Sequence, residues 1–302
     1  MTLSSQIWNI LACPQCGAPL TATADGAHCP ACNLTYPATP DGQLDLRLQH
    51  AKPHAIAYQV GSPPPDEFDP VFKPLAQNPQ PEVDFTTIQT PWHLTDTLLS
   101  HIPRPHSENA LMLDLGCGEG IHQAVMEHAG YEWVGLDYGI PAAPIKGDAH
   151  ALPFQDASFE FILSIAVLEH LQYPAVAMHE VYRTLKPGGK FIGTVSFLEP
   201  FHDNSYYHHT HLGSYNTLRQ AGFLVEQVAP SADWPGLYAQ AEMALFRNLP
   251  AWLGKAIMLP PYLLHRLYWR IGYMLTKNKR ASENYRLLAT SGAFTFIATK
   301  PA

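Results

Sequence analysis

The sequence predicts an α/β protein whose central sheet is largely parallel, doubly wound and covered by helices on both faces. From residue 92 onward, short apolar runs typical of buried strands alternate with segments of helical periodicity. The 302 residues are 46% hydrophobic and only 15% charged, so the chain can bury a large core. A parallel sheet needs this cover because each crossover lays a helix on one of its faces.

The strands and helices of this region can be placed from their apolar patterns. Leucines and an isoleucine at 94, 98, 99 and 102 indicate a first helix. The pattern predicts strands at 110–115, 133–136, 159–164, 190–197, 223–228 and 293–299, and helices at 119–129 and 175–185.

Composition divides the chain into three parts. Residues 1–48 form a short unit with four cysteines, and residues 49–91 are rich in proline and predict an extended linker laid over the surface. Residues 92–302 form the main domain. Within it, residues 231–291 are a helical, aromatic insertion before the last strand, and Pro260-Pro261 is expected to split its longest apolar stretch into two helices.

Charge limits the classes of partner. The net charge of −8 argues against a chain that coats itself in nucleic acid. Residues 247–286 depart from this average, because eight lysines and arginines face one acid, Glu283. No run of about 18 apolar residues predicts a membrane span. The start of the chain lacks a secretory signal, so we expect a cytoplasmic location.

A glycine-rich turn follows the strand at 110–115. The sequence Asp-Leu-Gly-Cys-Gly-Glu-Gly at 114–120 places Gly116 and Gly118 where the backbone can approach a ligand closely. Asp137 ends the next strand, and its carboxylate can accept both hydroxyls of a ribose. These features suit NAD and S-adenosylmethionine (SAM) equally.

Three later motifs distinguish between these cofactors. They are Gly-Asp-Ala-His-Ala-Leu-Pro-Phe at 147–154, Val-Leu-Glu-His-Leu at 167–171 and Lys-Pro-Gly-Gly at 186–189. In this order they resemble the class I SAM-dependent methyltransferases, particularly the ubiquinone and menaquinone biosynthesis type, over residues 94–229 and 292–300. The resemblance implies a Rossmann-like, seven-stranded sheet. It also implies that SAM contacts Asp114, Gly116, Gly118, Asp137, Asp148 and Ala149, with Ser164 near the reacting centre.

One segment departs from the family pattern. Only ten residues, 138–147, separate Asp137 from Asp148, and two of them are prolines. The family places a helix there, but this stretch is too short and too rich in proline to form one. We therefore expect the adenine side of the pocket to be bare or covered by the 49–91 linker.

The cysteines of the N-terminal unit predict a structural zinc site. Two Cys-x-x-Cys pairs, twelve residues apart, can supply all four tetrahedral ligands, so a catalytic role with an open position is disfavoured. The unit resembles the zinc ribbons that precede some bacterial methyltransferases. The predicted zinc ligands are Cys13, Cys16, Cys29 and Cys32.

Histidines after the fifth strand of the main domain are candidates for catalysis. His202 and His209 lie where this fold places its acceptor, and either imidazole can act as a general base. A metal site and a purely structural role remain open for the segment 202–211. By resemblance, Glu169 and His170 lie beside the methionine end of SAM, where such a pair contributes to a metal or acceptor site in some relatives, and His170 is a third catalytic candidate. A core hydrogen bond to the neighbouring helix is the alternative for this pair.

These observations predict a SAM-dependent methyltransferase that acts on a small, lipophilic acceptor. An rRNA or tRNA methyltransferase is the first alternative, although residues 1–50 hold only Arg47 as a basic residue against three aspartates. A SAM-binding module without transfer activity is the second. The basic segment 247–286 is a candidate for peripheral contact with the inner face of a membrane. The alternatives are a helical hairpin that packs on the sheet or on a second subunit in a homodimer, and a lid over a lipophilic or anionic substrate.

Overall fold

The computed structural model describes residues 3–40, 42–61, 63 and 65–302. The predicted N-terminal unit and linker therefore include five residues outside the described ones, at positions 1, 2, 41, 62 and 64. The helices are α1 (Ser5–Ile10), α2 (Asp96–Leu99), α3 (Gln123–Ala129), α4 (Pro174–Thr184), α5 (His211–Gln220), α6 (Gly236–Gln240), α7 (Ala251–Thr276) and α8 (Glu283–Thr290). The strands are β1 (Thr21–Thr23), β2 (Gly26–His28), β3 (Thr35–Pro37), β4 (Leu44–Asp45), β5 (Leu111–Leu115), β6 (Glu132–Asp137), β7 (Ile145–Lys146), β8 (Phe159–Ile165), β9 (Leu185–Ser196), β10 (Leu224–Pro230) and β11 (Ala293–Thr299).

The main sheet has the predicted α/β architecture. Its strand order is β10-β11-β9-β8-β5-β6-β7-β4, and the strands from β9 to β4 run parallel. The last strand, β11, lies antiparallel between β9 and β10. Every residue of β5 is buried, because helices cover both faces of the sheet. The predicted α/β fold with a Rossmann-like sheet is confirmed.

An eighth strand joins the seven predicted ones. Leu44 and Asp45 of β4 pair in parallel with Ile145 and Lys146 of β7, so the N-terminal unit supplies the outer edge of the main sheet. Its strands β1 to β3 form a separate antiparallel sheet. The two sheets share a hydrophobic cluster, to which the N-terminal unit contributes Ile7, Leu11, Leu20, Tyr36, Leu44 and Leu46.

The chain between residues 49 and 91 contains one short 3₁₀ turn, Pro70–Phe72, within its described part. Phe72 is fully buried, and its ring packs edge-on against His211 and Tyr215 of α5. The predicted extended segment is therefore anchored to the domain by a buried aromatic side chain.

The expected division of the insertion at Pro260-Pro261 is wrong, because α7 runs unbroken through both prolines. These residues lack the N–H groups that would bond the carbonyls of Ala256 and Ile257. Ala256 and Ile257 are exposed, so water can satisfy both carbonyls and the helix continues. Among the helices that the structure describes, none is long and apolar enough to cross a membrane.

Substitution of Leu46 tests whether the N-terminal unit contributes to the stability of the domain. Leu46 is fully buried in the shared cluster. Leu46→Ala should lower the free energy of unfolding by about 2–5 kcal/mol, because it removes packed apolar atoms and leaves a cavity. Val60→Ala, at a site that is 92% exposed, is the control and should change it by less than about 0.5 kcal/mol. Urea denaturation measures both, and equal values would contradict a shared core.

Candidate functional site

A cavity of about 980 Å³ opens at the carboxyl edge of the parallel strands. The ends of β5 and β6 and the turns after β7 and β8 form its wall, because parallel strands bring their carboxyl ends to one edge. Five residues predicted for the cofactor or for catalysis line it, namely Gly116, Asp137, Asp148, Ala149 and His170.

The glycine turn is locked onto the end of β6. Gly116 has a φ of 72°, and a Cβ there would overlap a methyl carbon of Val167, so glycine is required. The amide of Gly118 donates to Asp137 Oδ2 over 3.1 Å. Asp137 Oδ1 accepts from the amides of Gly139 and Ile140 at 3.0 and 3.1 Å. These bonds hold the Asp137 carboxylate at the cavity wall.

Asp148 is held by His150, which lies in the 147–154 motif but was not predicted as a site residue. His150 Nδ1 donates to Asp148 Oδ1 over 2.6 Å, and His150 Nε2 accepts from the amide of Tyr173 over 3.1 Å. The neutral Nδ1–H tautomer satisfies both bonds. Burial raises the pKa of Asp148, but the hydrogen bonds from His150 outweigh it and the pKa lies below its ordinary range. Asp148 therefore offers the cavity an ionised carboxylate.

The wall beside Asp148 contains no helix, as the sequence of residues 138–147 predicted. Residues 138–147, all of them described, form turns and the two residues of β7. Leu48, Lys52 and His54 line the cavity at this side, and Lys52 Nζ donates to the carbonyl of Pro14 over 2.7 Å. The first residues of the 49–91 segment thus cover this edge. The sequence left two possibilities, a bare edge or one covered by this segment, and the structure shows the second.

Three predicted cofactor residues do not line the cavity. Asp114 is fully buried, and its carboxylate lies 3.1 Å from His122 Nδ1 and from Trp133 Nε1. Ser164 is buried within β8, and Gly118 acts through its bond to Asp137. A direct contact between these residues and SAM stays a prediction.

The candidate catalytic histidines lie in different environments. His170 lines the cavity, and its ring centroid lies 5.3 Å from that of His202. His209 is buried away from the cavity, its amide donates to the carbonyl of Ser196 over 2.8 Å, and burial lowers its pKa. The structure brings His170 and His202 together, and a catalytic role for any of the three stays a prediction.

Several cavity residues were not singled out from the sequence. His150 had a local signal, because Asp-x-His allows the imidazole to bond the preceding carboxylate. Lys52, His54 and Tyr173 had none, since only the fold brings them to the cavity. Asp203, Asn204 and Tyr206 belong to the segment 202–211, which the sequence placed on the acceptor side without naming these side chains.

The four cysteines of the N-terminal unit converge as predicted. Their sulfur atoms all lie within 4.8 Å of one another, and the pairs Cys13–Cys32 and Cys16–Cys29 are 3.6 and 3.5 Å apart. Tetrahedral zinc with bonds of about 2.3 Å requires sulfur atoms roughly 3.8 Å apart, so the cluster fits the ion. A disulfide would need about 2.05 Å.

Comparison with known proteins agrees with this geometry. Residues 113–193 match the family model described as a methyltransferase domain. Over 136 residues the chain is 29% identical to a ubiquinone biosynthesis O-methyltransferase of Cereibacter sphaeroides, covering 40% of this chain and 54% of that protein. It is 33% identical over 92 residues to a demethylmenaquinone methyltransferase of Renibacterium salmoninarum, covering 27% and 39%.

Among solved structures, a complex between the Trm112 methyltransferase activator and a methyltransferase of Haloferax volcanii is 21% identical, with a TM-score of 0.45. The match covers 70% of this chain and 90% of that one. The chain spans about half the length of the curated relatives it matches. Residues 113–193 are therefore similar to a methyltransferase domain, within a sheet of Rossmann-like topology.

The cysteine cluster should be coupled to cofactor binding. It lies in the unit that supplies β4, which pairs with β7, and Asp148 follows β7 directly. Removal of zinc by chelation should weaken SAM binding about tenfold, because a small unit of this kind loses its fold without metal. Calorimetry with SAM measures the affinity, and added Zn²⁺ should restore it. An unchanged affinity in protein shown to be metal-free would contradict this coupling.

Proposed function

We propose that this protein transfers the methyl group of SAM to a small, lipophilic acceptor. The observation that carries the proposal is the cavity, where Asp137 and Asp148 share one wall with His170. Its volume of about 980 Å³ is at the upper end of the roughly 300–1,000 Å³ of small-molecule sites. A cavity of this size has room for a second molecule beside a cofactor.

The carboxylates and the glycine turn fit SAM. Asp137 suits the ribose hydroxyls, Asp148 suits the adenine amino group, and Gly116 allows the backbone to approach the ligand. SAM supplies an activated methyl group on its sulfonium. The protein's contribution is then to align donor and acceptor and to exclude water.

The cavity wall carries aromatic and apolar side chains beside the polar Gln172, Asp203 and Asn204, and the apolar groups favour a lipophilic acceptor. Leu171, Tyr173, Val176 and Tyr206 line the cavity together with His170. If the nucleophile carries a proton, the His170 imidazole lies at the cavity wall and can accept it.

Methyl transfer can be tested with the protein, radiolabelled SAM and fractionated cell extract. We expect label in the organic phase, and Asp148→Asn should reduce its amount at limiting SAM by about tenfold, because the ionised carboxylate is lost. Zinc content and the unfolding transition of Asp148→Asn control for its folding. Label in RNA would instead support an rRNA or tRNA methyltransferase. SAM binding without label in any fraction would support a non-catalytic module and overturn the proposal.

We further propose that the protein is cytoplasmic and that α7 lies on the inner face of a membrane. One side of α7 packs on the domain, where Gly254 meets Ala241 and Lys255 Nζ lies 3.1 Å from Glu242. A solvent-exposed side of α7 carries a stripe of large apolar residues at helical spacing. Its members are Leu264, Tyr268, Ile271 and Leu275, which are 46–80% exposed.

Charge favours an anionic bilayer as the surface that covers this stripe. Residues 247–286 carry eight basic residues and one acid, and Arg270 and Lys277 of this set are exposed. Each basic residue near an anionic lipid surface contributes about 1 kcal/mol. An apolar helical face bordered by basic residues suits the boundary between headgroups and acyl chains.

Vesicle co-sedimentation tests this contact. The protein should bind vesicles that contain phosphatidylserine more strongly than vesicles of phosphatidylcholine alone. Leu264→Glu should reduce binding about tenfold, because it places a charge in the apolar stripe. Leu224→Glu is the matched control, since Leu224 is 61% exposed on β10, against 69% for Leu264. Equal binding by both variants, or a dimer whose interface contains Leu264, would overturn the proposal.

A further inference from the structure

We propose that the acceptor of this protein is a lipophilic amine, whose ammonium group is bound by Asp203, Tyr173 and Tyr206. The inference rests on the proposed function and deepens it, because it names the chemical class of the group that is methylated. All three side chains line the cavity. Tyr173 lies between β8 and α4, and Asp203 and Tyr206 lie in the loop after β9. We call the cavity residues of these two segments the acceptor side.

The charge of the acceptor side comes from a carboxylate. Asp137 and Asp148, which we assign to the cofactor, lie at the ends of β6 and β7, so Asp203 is left for the acceptor. Among the described lysines and arginines, only Lys52 lines the cavity, and its Nζ donates to the carbonyl of Pro14. A cavity wall with an uncompensated carboxylate attracts a cation.

The neighbouring histidine does not neutralise Asp203. His202 Nδ1 donates to the carbonyl of Pro200 over 3.0 Å, and its Nε2 lies 3.9 Å from Glu199 Oε2. In the part of the chain that the structure describes, no basic side chain forms an ion pair with Asp203. The carboxylate is therefore available to a cationic ligand.

A tight turn holds Asp203 at the cavity wall. The amide of Ser205 donates to the carbonyl of His202 over 2.9 Å, and Asp203 and Asn204 between them have φ values of 39° and 61°. Positive φ at both central residues is the feature of a type I′ turn, which aspartate and asparagine tolerate. The backbone thus sets the position of the carboxylate before a ligand binds.

Two tyrosines flank this carboxylate on the acceptor side. The amide of Tyr206 donates to the carbonyl of Glu169 over 2.6 Å, and the ring of Tyr173 lies edge-on to His150, with centroids 5.9 Å apart. Both tyrosines are 58% exposed, so they lie where the cavity opens to solvent. Aromatic faces attract cations, and tyrosines around an ammonium group are a common recognition arrangement. A carboxylate between tyrosines therefore favours an ammonium group over a carboxylate or an alcohol.

Apolar side chains on the same side suit the rest of the acceptor. Val167, Leu171 and Val176 line the cavity together with the two tyrosines. Their hydrocarbon surface can cover an alkyl or ring system whose amine reaches Asp203. The acceptor side thus fits an amphiphilic molecule with a cationic end.

The charge that moves during methyl transfer gives Asp203 a second role. The bound ammonium group first gives a proton to the His170 imidazole, which frees the lone pair of the nitrogen. The nitrogen then attacks the methyl carbon, and the bond between this carbon and sulfur breaks with its electron pair on sulfur. S-adenosylhomocysteine and the methylated ammonium are the products. Positive charge passes from sulfur to nitrogen, and Asp203 stabilises it where it arrives.

The labelled product of the transfer assay tests the amine. Product from the full-length protein, radiolabelled SAM and cell extract is partitioned between water and an organic solvent at about pH 3 and at about pH 12, on either side of the pKa of an alkylamine. We expect label in the water at the acidic pH and in the organic phase at the alkaline pH. Label in the organic phase at both values would overturn the inference and leave the proposed function standing. Absence of label in every fraction would overturn the proposed function itself.

Binding assigns the residue. Calorimetry on the full-length protein saturated with S-adenosylhomocysteine should show that n-dodecylamine binds at least about tenfold more tightly than n-dodecanol, because only the amine forms a charge-assisted bond. Asp203→Asn should remove this preference without changing the affinity for SAM. Asp25→Asn is the matched control, since Asp25 is exposed and does not line the cavity. Equal binding of the amine and the alcohol by the unsubstituted protein would overturn the inference.

Two further outcomes distinguish the acceptor from the cofactor. If Asp203→Asn weakens SAM binding and leaves amine binding unchanged, Asp203 belongs to the cofactor and the inference is overturned. Tyr206→Leu should weaken binding of n-dodecylamine about threefold, whereas Tyr206→Phe, which keeps the aromatic face, should retain it. Equal losses in both variants would contradict recognition of the cation by the aromatic ring.

Discussion

The parallel pairing of β4 with β7 is the contact on which the shape of the candidate site depends. β7 has only two residues, and without a partner it would leave the edge of the sheet open beside Asp148. β4 closes this edge and brings the cysteine unit against the main domain. The chain then continues from β4 through Leu48 to Lys52 and His54, which line the cavity. A unit that looks separate in the sequence thus forms part of the binding wall.

The parallel strands explain why groups from distant segments meet. Asp137 ends β6, Asp148 follows β7 and His170 follows β8, and all three reach one cavity because the strands end at one edge. Asp148 is ionised through its bonds from His150, and Asp137 is fixed by three backbone amides. The fixed carboxylates suit the polar half of a cofactor, while the aromatic residues on the other side suit an apolar acceptor.

The insertion between β10 and β11 adds a surface of another kind. α7 presents a continuous apolar stripe to solvent, and large exposed apolar patches on soluble domains mark contact sites. The proposed lipophilic acceptor and the proposed membrane contact of α7 are consistent with each other, because lipophilic molecules concentrate in membranes. A protein that contacts the bilayer through α7 would meet its acceptor where that acceptor is concentrated.

The sequence by itself determined the fold class, the cysteine cluster and the residues at the strand ends. These features depend on local patterns: the alternation of strands and helices, the Cys-x-x-Cys spacing, and glycines where the backbone takes a positive φ. The sequence also predicted the missing helix between Asp137 and Asp148, because ten residues with two prolines cannot form one.

Only the tertiary structure decided which chemistry-bearing side chains share a site. It placed the Asp114 carboxylate against His122 and Trp133, away from the cavity, and brought Glu169, His170 and His202 together. It also showed α7 as one helix through Pro260 and Pro261. The physical reason is the same in each case. Contacts between residues far apart in the chain depend on how elements pack, and packing and solvent access leave no signal in local sequence patterns.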